Sequence, residues 1–199
     1  MKKMNKSIYL VVVLTVTAAI SGGILAYFDS FTSKRIAEFQ KSEQVKSVQV
    51  VLPGSVTSES KMLDGVEFFI GKDNAGKIVG VAFVASGAGF QSTIKVMVGM
   101  DPTMQTILAM KVMEQAETPG LGTKIVDDQT HKTNPGWFIK QFENLSIVNG
   151  ISYLKGQKPS KPGEIQAITG ATVSSAAVVN LLNASITSNR EIFLKSGVK

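Results

Sequence analysis

The sequence predicts an α+β protein, in which a single N-terminal transmembrane helix precedes an antiparallel-sheet domain with packed helices. Three observations predict this fold class. The 199-residue chain has a run of 22 uncharged residues near its start, continues with β-rich runs separated by short turns, and ends with an amphipathic segment. We therefore divide the chain into a start with its transmembrane helix, a helical stalk and a folded domain, at residues 1–28, 29–50 and 51–199.

The apolar run at 7–28 is long enough to cross a membrane as a helix. At about 1.5 Å per residue it spans roughly 33 Å, and the hydrocarbon core of a bilayer is about 30 Å thick. A cleaved signal peptide is the alternative, but its apolar core reaches only about 15 residues and ends in a small-residue cleavage site. No A-x-A triplet ends this run. The sequence therefore predicts a retained anchor.

The charges beside the apolar run predict its orientation. Lys2, Lys3 and Lys6 precede the run, and lysines favour the cytoplasmic side of a membrane helix. Lys34 and Arg35 follow the run and weaken the asymmetry. We expect a single-pass protein of the cell (inner) membrane, with a cytoplasmic N-terminus and the folded domain on the outer face.

Local patterns predict the elements that follow the anchor. Residues 29–49 are polar with apolar residues at helical spacing, which predicts a stalk helix that Pro53 and Gly54 end. The next runs alternate or are rich in β-branched residues, and turns at 71–76 and 86–89 separate them. They predict four antiparallel strands, at 66–70, 78–86, 94–100 and 106–112.

The second half of the domain is predicted to be mainly helical. Residues 124–145 are expected to form short helices, broken by a Pro-Gly pair at 135–136, with Trp137, Phe138 and Phe142 in the core. A polar loop is predicted at 155–164. An amphipathic helix is predicted from Ser174 to about Lys195.

Composition excludes several kinds of site. The chain has no cysteine, which excludes disulfides, cysteine-ligated iron–sulfur clusters and thiolate nucleophiles. The single histidine, His131, argues against a zinc site, and we predict no metal. The net charge of +6 is spread along the chain without a dense basic stripe, so we predict no nucleic-acid partner.

The segment TGATVSS, at 169–175, places Thr172 where a loop enters the last helix. One interpretation is a helix cap, because a threonine hydroxyl there accepts a hydrogen bond from a free N–H group of the first turn. The other interpretation is an attachment site. The free N–H groups and the helix dipole favour a phosphate, and Gly170 and Ala171 leave the hydroxyl open. The letters of this segment alone favour the cap.

The segment ETPGLG, at 117–122, predicts a rigid turn. Its glycines would allow bare backbone to approach a flat ring closely. The turn is a weak signal by itself. It gains weight because TGAT follows it after about 50 residues and opens a helix.

With these two motifs, the chain resembles the FMN-binding domain of the G subunit of the Rnf electron-transport complex. It is also similar to the C subunit of the sodium-pumping NADH:quinone reductase. The resemblance covers nearly the whole chain, from the basic start and apolar helix through VLPG at 51–54 to the two motifs. The Rnf branch fits better, on the compact length and the ETPGLG form.

The resemblance implies that FMN is covalently bonded, through its phosphate, to the last threonine of TGAT, which is Thr172. It also implies a dedicated flavin transferase that takes FMN from FAD and recognises this motif. Three further residues complete the motif and two match small hydroxyl positions near the phosphate, namely Thr169, Gly170, Ala171, Ser174 and Ser175.

The resemblance also implies contacts to the isoalloxazine ring from the ETPGLG loop. Thr118, Gly120, Leu121 and Gly122 are the expected contacts, and Glu117 is a further candidate. No side chain is expected to be catalytic, in the sense of an acid, base or nucleophile in turnover.

Two positions depart from the family pattern, and the first of them bears on the efficiency of attachment if the transferase uses an acidic residue there. Relatives usually have an acidic residue three positions before the [S/T]GAT motif, where this chain has Gln166. Many relatives also have a His-Lys pair before ETPGLG, where this chain has Gln115 and Ala116. Neither departure removes the acceptor hydroxyl.

The resemblance implies electron transfer within a membrane complex. Such a complex moves electrons from reduced ferredoxin to NAD⁺ and exports Na⁺ or H⁺, so its other membrane and peripheral subunits are the expected partners. No complete reaction is expected from this chain alone. Two alternatives are a stand-alone membrane-anchored flavoprotein of another electron-transfer chain and a tethered, non-redox binding or structural domain.

Overall fold

The first helix, α1, extends without a break from Lys6 to Val51 in the computed structural model, which describes residues 6–198. Within this part of the chain, α1 alone is long and apolar enough to cross a membrane. The side chains of its apolar window are exposed, as lipid-facing side chains would be. The helix continues through the segment predicted as a stalk and ends two residues before Pro53.

A six-stranded antiparallel sheet follows α1, and each strand pairs with its neighbour in sequence. This order needs only short connections and brings the ends of successive strands together. The strands are β1 Thr57–Leu63, β2 Val66–Lys72, β3 Ile78–Ala88, β4 Thr93–Met100, β5 Thr106–Glu114 and β6 Leu145–Ser146.

The four predicted strands correspond to β2–β5, but the turn predicted at 86–89 is misplaced. Residues Ser86 to Ala88 continue β3, because they pair with Lys95 to Thr93 on β4. The turn comes later, where the Gly89 N–H donates to the Ser92 carbonyl at 2.7 Å. The pairing between β3 and β4 therefore extends further than the sequence pattern indicates. The turn lies three residues later than predicted.

Alternate residues of the central strands point to opposite faces, and both faces are covered. On one face, Phe68, Phe83 and Val98 belong to the main core, together with the C-terminal helix. On the other face, Phe69, Ala82 and Met97 pack against the end of α1. The residues of α1 and its C-terminal neighbour that cover this second face are Val48, Val51 and Leu52.

A glycine lets the end of α1 lie directly on the sheet. A Cβ atom added at Gly99, in β4, would lie 1.9 Å from the Val51 carbonyl oxygen. No side chain fits in that space. The compact unit that contains the sheet accordingly begins at Gln44, inside α1.

The segment between β5 and β6 is less helical than predicted. It contains a 3-10 turn at Gly122–Ile125 and one short helix, α2, at Trp137–Lys140, and turns fill the remainder. The physical reason is the Asp128 carboxylate, which accepts hydrogen bonds from the Thr130 N–H at 3.1 Å and the Trp137 indole at 3.1 Å and so favours a turn.

The predicted aromatic core of this segment is present. Phe138 and Phe142 are fully buried, and Trp137 is partly buried against the main core. Two short parallel strands follow, β7 at Ser152–Leu154 and β8 at Glu164–Gln166. The polar loop predicted at 155–164 lies between them, except that its last residue begins β8.

The last helix, α3, extends from Thr172 to Lys195 and begins two residues earlier than predicted. Its apolar face, which includes Val178, Leu182 and Ile186, packs in the main core. Gly87 of β3 lies against this helix, since a Cβ there would be 3.0 Å from a methyl carbon of Leu181. This packing brings the start of α3 to the end of the sheet where β3 turns into β4.

Candidate functional site

The start of α3 leaves the Thr172 hydroxyl free. Ala171 is the N-cap of the helix, and no side chain makes a capping hydrogen bond. Thr172 is the first helical residue and is half-buried. Its hydroxyl has no hydrogen-bond partner within residues 6–198. The cap interpretation of Thr172 is therefore wrong.

The first-turn N–H groups of α3 are also free. The first intrahelical bond at this end is donated by the Ser175 N–H to the Ala171 carbonyl, at 3.0 Å. The N–H groups of Thr172, Val173 and Ser174 have no acceptor in the described part of the chain. Free N–H groups at a helix N-terminus carry partial positive charge and bind anions.

A cleft of about 180 Å³ opens beside these groups. Its lining comes from three segments that are distant in sequence, namely the β3–β4 turn, the ETPGLG loop and the start of α3. The nine lining residues are Phe90, Thr118, Leu121, Gly122, Gly170, Ala171, Thr172, Val173 and Ser174. The two motifs that the sequence singles out therefore meet at one cleft.

Three exposed apolar side chains lie around the cleft. Phe90 is 64% exposed, Leu121 47% and Val173 59%. Exposed large apolar side chains that surround one concave site are typical of a surface that a flat apolar ligand covers.

Glu117 holds the three segments together from behind the cleft. The residue is only 2% exposed. Oε1 accepts the N–H groups of Gln91 and Ser92 at 3.0 and 3.2 Å, while Oε2 accepts the Phe90 N–H at 3.1 Å and the Ser174 hydroxyl at 2.5 Å. A single side chain therefore joins the ETPGLG loop to the turn before β4 and to α3.

Burial by itself raises the pKa of the Glu117 carboxyl group. The hydrogen bonds from the Ser174 hydroxyl and from three backbone N–H groups act in the opposite direction and are together stronger. The net result is a pKa below the usual value for glutamate. The carboxyl group is therefore ionised at neutral pH.

Two glycines shape the cleft in different ways. At Gly122, an added Cβ would lie 2.7 Å from Cβ of Glu117 and 2.8 Å from the Ser174 hydroxyl oxygen. Bare backbone is therefore required between the cleft and the buried carboxylate. At Gly170, φ is +84°, a conformation that favours glycine, and this residue turns the chain into α3.

The remaining predicted residues lie near the cleft without lining it. Gly120 has φ of +73° and lies exposed in the loop. Ser175 is fully buried, and its hydroxyl donates to the Ala171 carbonyl and accepts the Ile168 N–H, both at 3.0 Å. In this structure Ser174 and Ser175 both bond to protein groups, so they hold the TGAT turn in place.

A second, smaller cleft of about 150 Å³ lies at the TGAT turn, and Thr169 is among its lining residues. Gln166 and the buried Asp128 also line it. Burial raises the pKa of Asp128, but hydrogen bonds from Thr130 and Trp137 and the charge of Lys124 hold that pKa far below its usual value. Residues 6–198 contain no cluster of acidic or histidine side chains suited to a metal ion.

Sequence reasoning missed Phe90. The residue lies in a Gly-Phe-Gln-Ser turn, and a single aromatic in a turn gives no recognisable signal. Its position depends on the Glu117 carboxylate, which lies 27 residues away in sequence. Only the tertiary structure brings it to the cleft.

Comparison with known proteins identifies the domain. Residues 89–187 match the model of the FMN-binding domain family, and this range includes the β3–β4 turn, the ETPGLG loop and the start of α3. The chain is 28% identical to the G subunit of the ion-translocating oxidoreductase complex of Methanosarcina acetivorans, over 88% of this chain and 90% of that one. It is 29% identical to the G subunit of the Na⁺-translocating ferredoxin:NAD⁺ oxidoreductase complex of Acetobacterium woodii, over 87% of each.

A solved structure shares the fold. The crystal structure of NqrC from Shewanella oneidensis matches with a TM-score of 0.51 and 20% identity, over 69% of this chain and 72% of that one. Together with the apolar helix α1, these relatives indicate a membrane-anchored protein. Residues 89–187 therefore form a domain of the FMN-binding domain family, and over most of its length the chain is similar to G subunits of ion-translocating oxidoreductase complexes.

Proposed function

We propose that this chain is an electron-transfer subunit of a membrane complex similar to ion-translocating ferredoxin:NAD⁺ oxidoreductases. We further propose that it carries FMN through a phosphoester to the Thr172 hydroxyl. The observation that carries the proposal is the unpaired Thr172 hydroxyl, which lies on the same cleft as the ETPGLG loop. The family match and the similarity to G subunits of such complexes support the same conclusion.

The start of α3 suits a phosphoester chemically. A phosphate bonded to the Thr172 oxygen keeps a negative charge, which the free first-turn N–H groups and the helix dipole can stabilise. Gly170 lies in the turn before the helix and has a positive φ, a conformation that favours glycine. No side chain at this position therefore covers the hydroxyl. A flavin transferase could therefore reach the acceptor atom from solvent.

The cleft suits a ring that is only partly enclosed. Its volume of about 180 Å³ is smaller than the roughly 300–1,000 Å³ of most small-molecule sites. Leu121 and Phe90 supply apolar contact at its rim, and Gly122 supplies flat backbone. A ring held in this way keeps part of its edge in solvent, where an electron partner can approach it.

Bound FMN would supply one- and two-electron exchange, and this chain would position it and adjust its potential. The covalent bond would prevent loss of the cofactor on the outer side of the membrane. We infer that the chain passes electrons between other subunits of the complex, with Na⁺ or H⁺ as the coupling ion, and does not bind the nicotinamide itself.

The central test is the mass of the full-length chain produced together with a flavin transferase. We expect wild type and Thr172→Ser to gain the mass of one FMN group and to fluoresce in a denaturing gel. Thr172→Val keeps the side-chain shape but lacks the hydroxyl, so it should gain neither. An FMN adduct on the valine variant, or none on wild type, would refute the proposal.

A second measurement separates a complex subunit from a stand-alone flavoprotein. The chain should co-purify, in mild detergent from its native membrane, with other membrane subunits and with ferredoxin:NAD⁺ oxidoreductase activity. Purification of a flavinylated chain alone would favour the stand-alone protein.

A further inference from the structure

A buried negative charge lies directly behind the proposed flavin cleft. Gly122 and Ser174 both line the cleft, and both contact Glu117. The Ser174 hydroxyl is 2.5 Å from Oε2 of Glu117, and a Cβ added at Gly122 would lie 3.0 Å from the same oxygen. One layer of protein atoms therefore separates the carboxylate from the cleft.

Neutral groups stabilise this charge. All four hydrogen bonds to the carboxylate come from neutral donors, namely a serine hydroxyl and three backbone N–H groups. Hydrogen bonds of this kind keep a buried carboxylate ionised without cancelling its full charge, as an adjacent cation would. Its field therefore extends into the cleft, and burial limits the screening by water.

We propose that Glu117 lowers the midpoint potential of the flavin, an inference that depends on the FMN site proposed above. Reduction adds electrons to the ring. A fixed negative charge behind the ring makes that addition less favourable, because charges interact strongly in a poorly solvated site. Glu117 does not line the cleft, so its charge acts across Gly122 and Ser174. It is also a positioning residue, because its hydrogen bonds hold the segments around the cleft.

The structural and electrostatic roles of Glu117 can be separated. Glu117→Gln removes the charge, keeps the size of the side chain and retains an oxygen that accepts the Gln91 and Ser92 N–H groups; its amide nitrogen cannot accept the Phe90 N–H. Ser174→Ala removes one hydrogen bond and keeps the charge. If Glu117 only holds the segments together, both variants should shift the midpoint potential by similar amounts. If its charge matters, the midpoint potential should shift chiefly in Glu117→Gln.

The experiment is a redox titration, followed by visible absorbance, of the full-length flavinylated chain in detergent. Mass spectrometry first establishes that each variant carries FMN. We expect a midpoint potential more positive than that of wild type for Glu117→Gln, and a clearly smaller shift for Ser174→Ala. Equal potentials for wild type and Glu117→Gln, or equal shifts in the two variants, would overturn the proposal.

A second pair of variants applies if Glu117→Gln fails to fold or to acquire FMN. Gln91 is exposed, and its N–H donates to Oε1 of Glu117. Gln91→Lys adds a cation at the residue whose backbone N–H binds the carboxylate, whereas Gln91→Met is a neutral control of similar length; both variants lose the hydrogen bond that the Thr118 hydroxyl donates to the Gln91 side chain. The lysine variant should have the more positive potential, and identical potentials in the two would overturn the inference. If wild type itself acquires no FMN, the proposed function fails and this inference fails with it.

Discussion

At the residue scale, Thr172 shows how far a motif can be interpreted without a structure. The sequence places this threonine near a helix start, and the family resemblance implies that it is the attachment residue. The sequence pattern by itself favours a cap. The structure assigns the N-cap to Ala171 and leaves the Thr172 hydroxyl unpaired within the described residues. The difference is a shift of one residue at the start of α3, which hydrophobic periodicity does not resolve.

For Glu117, the sequence motif predicts the correct region but the wrong role. The ETPGLG motif indicates a loop that contacts a ring, and Glu117 is predicted as one more contact. In the structure its carboxylate points away from solvent and binds the turn that carries Phe90. A glutamate in a loop usually lies in water, so sequence reasoning has no basis for expecting this burial.

Phe90 provides a prediction at this scale. In the flavinylated chain, Phe90→Trp would place an indole against the ring, and tryptophan quenches the fluorescence of a flavin it contacts. We expect the native variant to fluoresce more weakly than wild type and to recover its fluorescence on denaturation. Val148→Trp is the control, because Val148 is comparably exposed, at 62%, but does not line the cleft. Equal native fluorescence in both tryptophan variants would place Phe90 away from the ring.

At the scale of elements, the strands are the best-predicted part of the fold. β2 to β5 are rich in apolar residues because both faces of these strands pack against other elements. β1 is missed because its side chains are almost all exposed, and a strand with no buried face leaves no apolar pattern. β6 to β8 are only two or three residues long, and tertiary contacts define them.

Packing between α1 and the sheet provides a second prediction. Gly99→Ala would force a methyl group into the space occupied by the Val51 carbonyl. Overpacking of this kind costs about 1–3 kcal/mol of stability, and each kcal/mol lowers the melting temperature of a domain of this size by about 2–4 °C. Thermal unfolding followed by circular dichroism measures the loss.

Gly136→Ala is the matched control for this change. An added Cβ at Gly136 meets no atom within 4 Å, and the residue has a negative φ. Its melting temperature should stay close to that of wild type. A Gly99→Ala protein as stable as this control would show that α1 does not lie as closely on β4 as the structure indicates.

At the scale of the whole molecule, the apolar part of α1 and the membrane-complex relatives indicate an anchored protein. The side of the membrane on which the domain lies remains a prediction from Lys2, Lys3 and Lys6, which precede the apolar run. Composition and motif reasoning can identify the anchor and the family. They cannot locate the partner surfaces, which depend on chains outside this structure.

Protease accessibility tests the orientation. Protease added to intact cells, after removal of any outer membrane, should digest the folded domain, because we predict that it lies on the outer face. A cytoplasmic protein in the same cells should stay intact. Full protection of the domain, with digestion only after the cells are lysed, would reverse the predicted topology.

The close fit of α1 on the sheet also determines where the protein can be cut for work in solution. A fragment that starts at residue 51 would lack Val48 and would so uncover part of the apolar face formed by Phe69, Ala82 and Met97, and an uncovered apolar face promotes aggregation. A fragment that starts at Gln44 would keep the cover, because the compact unit begins there. About two turns of α1 therefore belong to the folded domain, and we expect a stable fragment to require them.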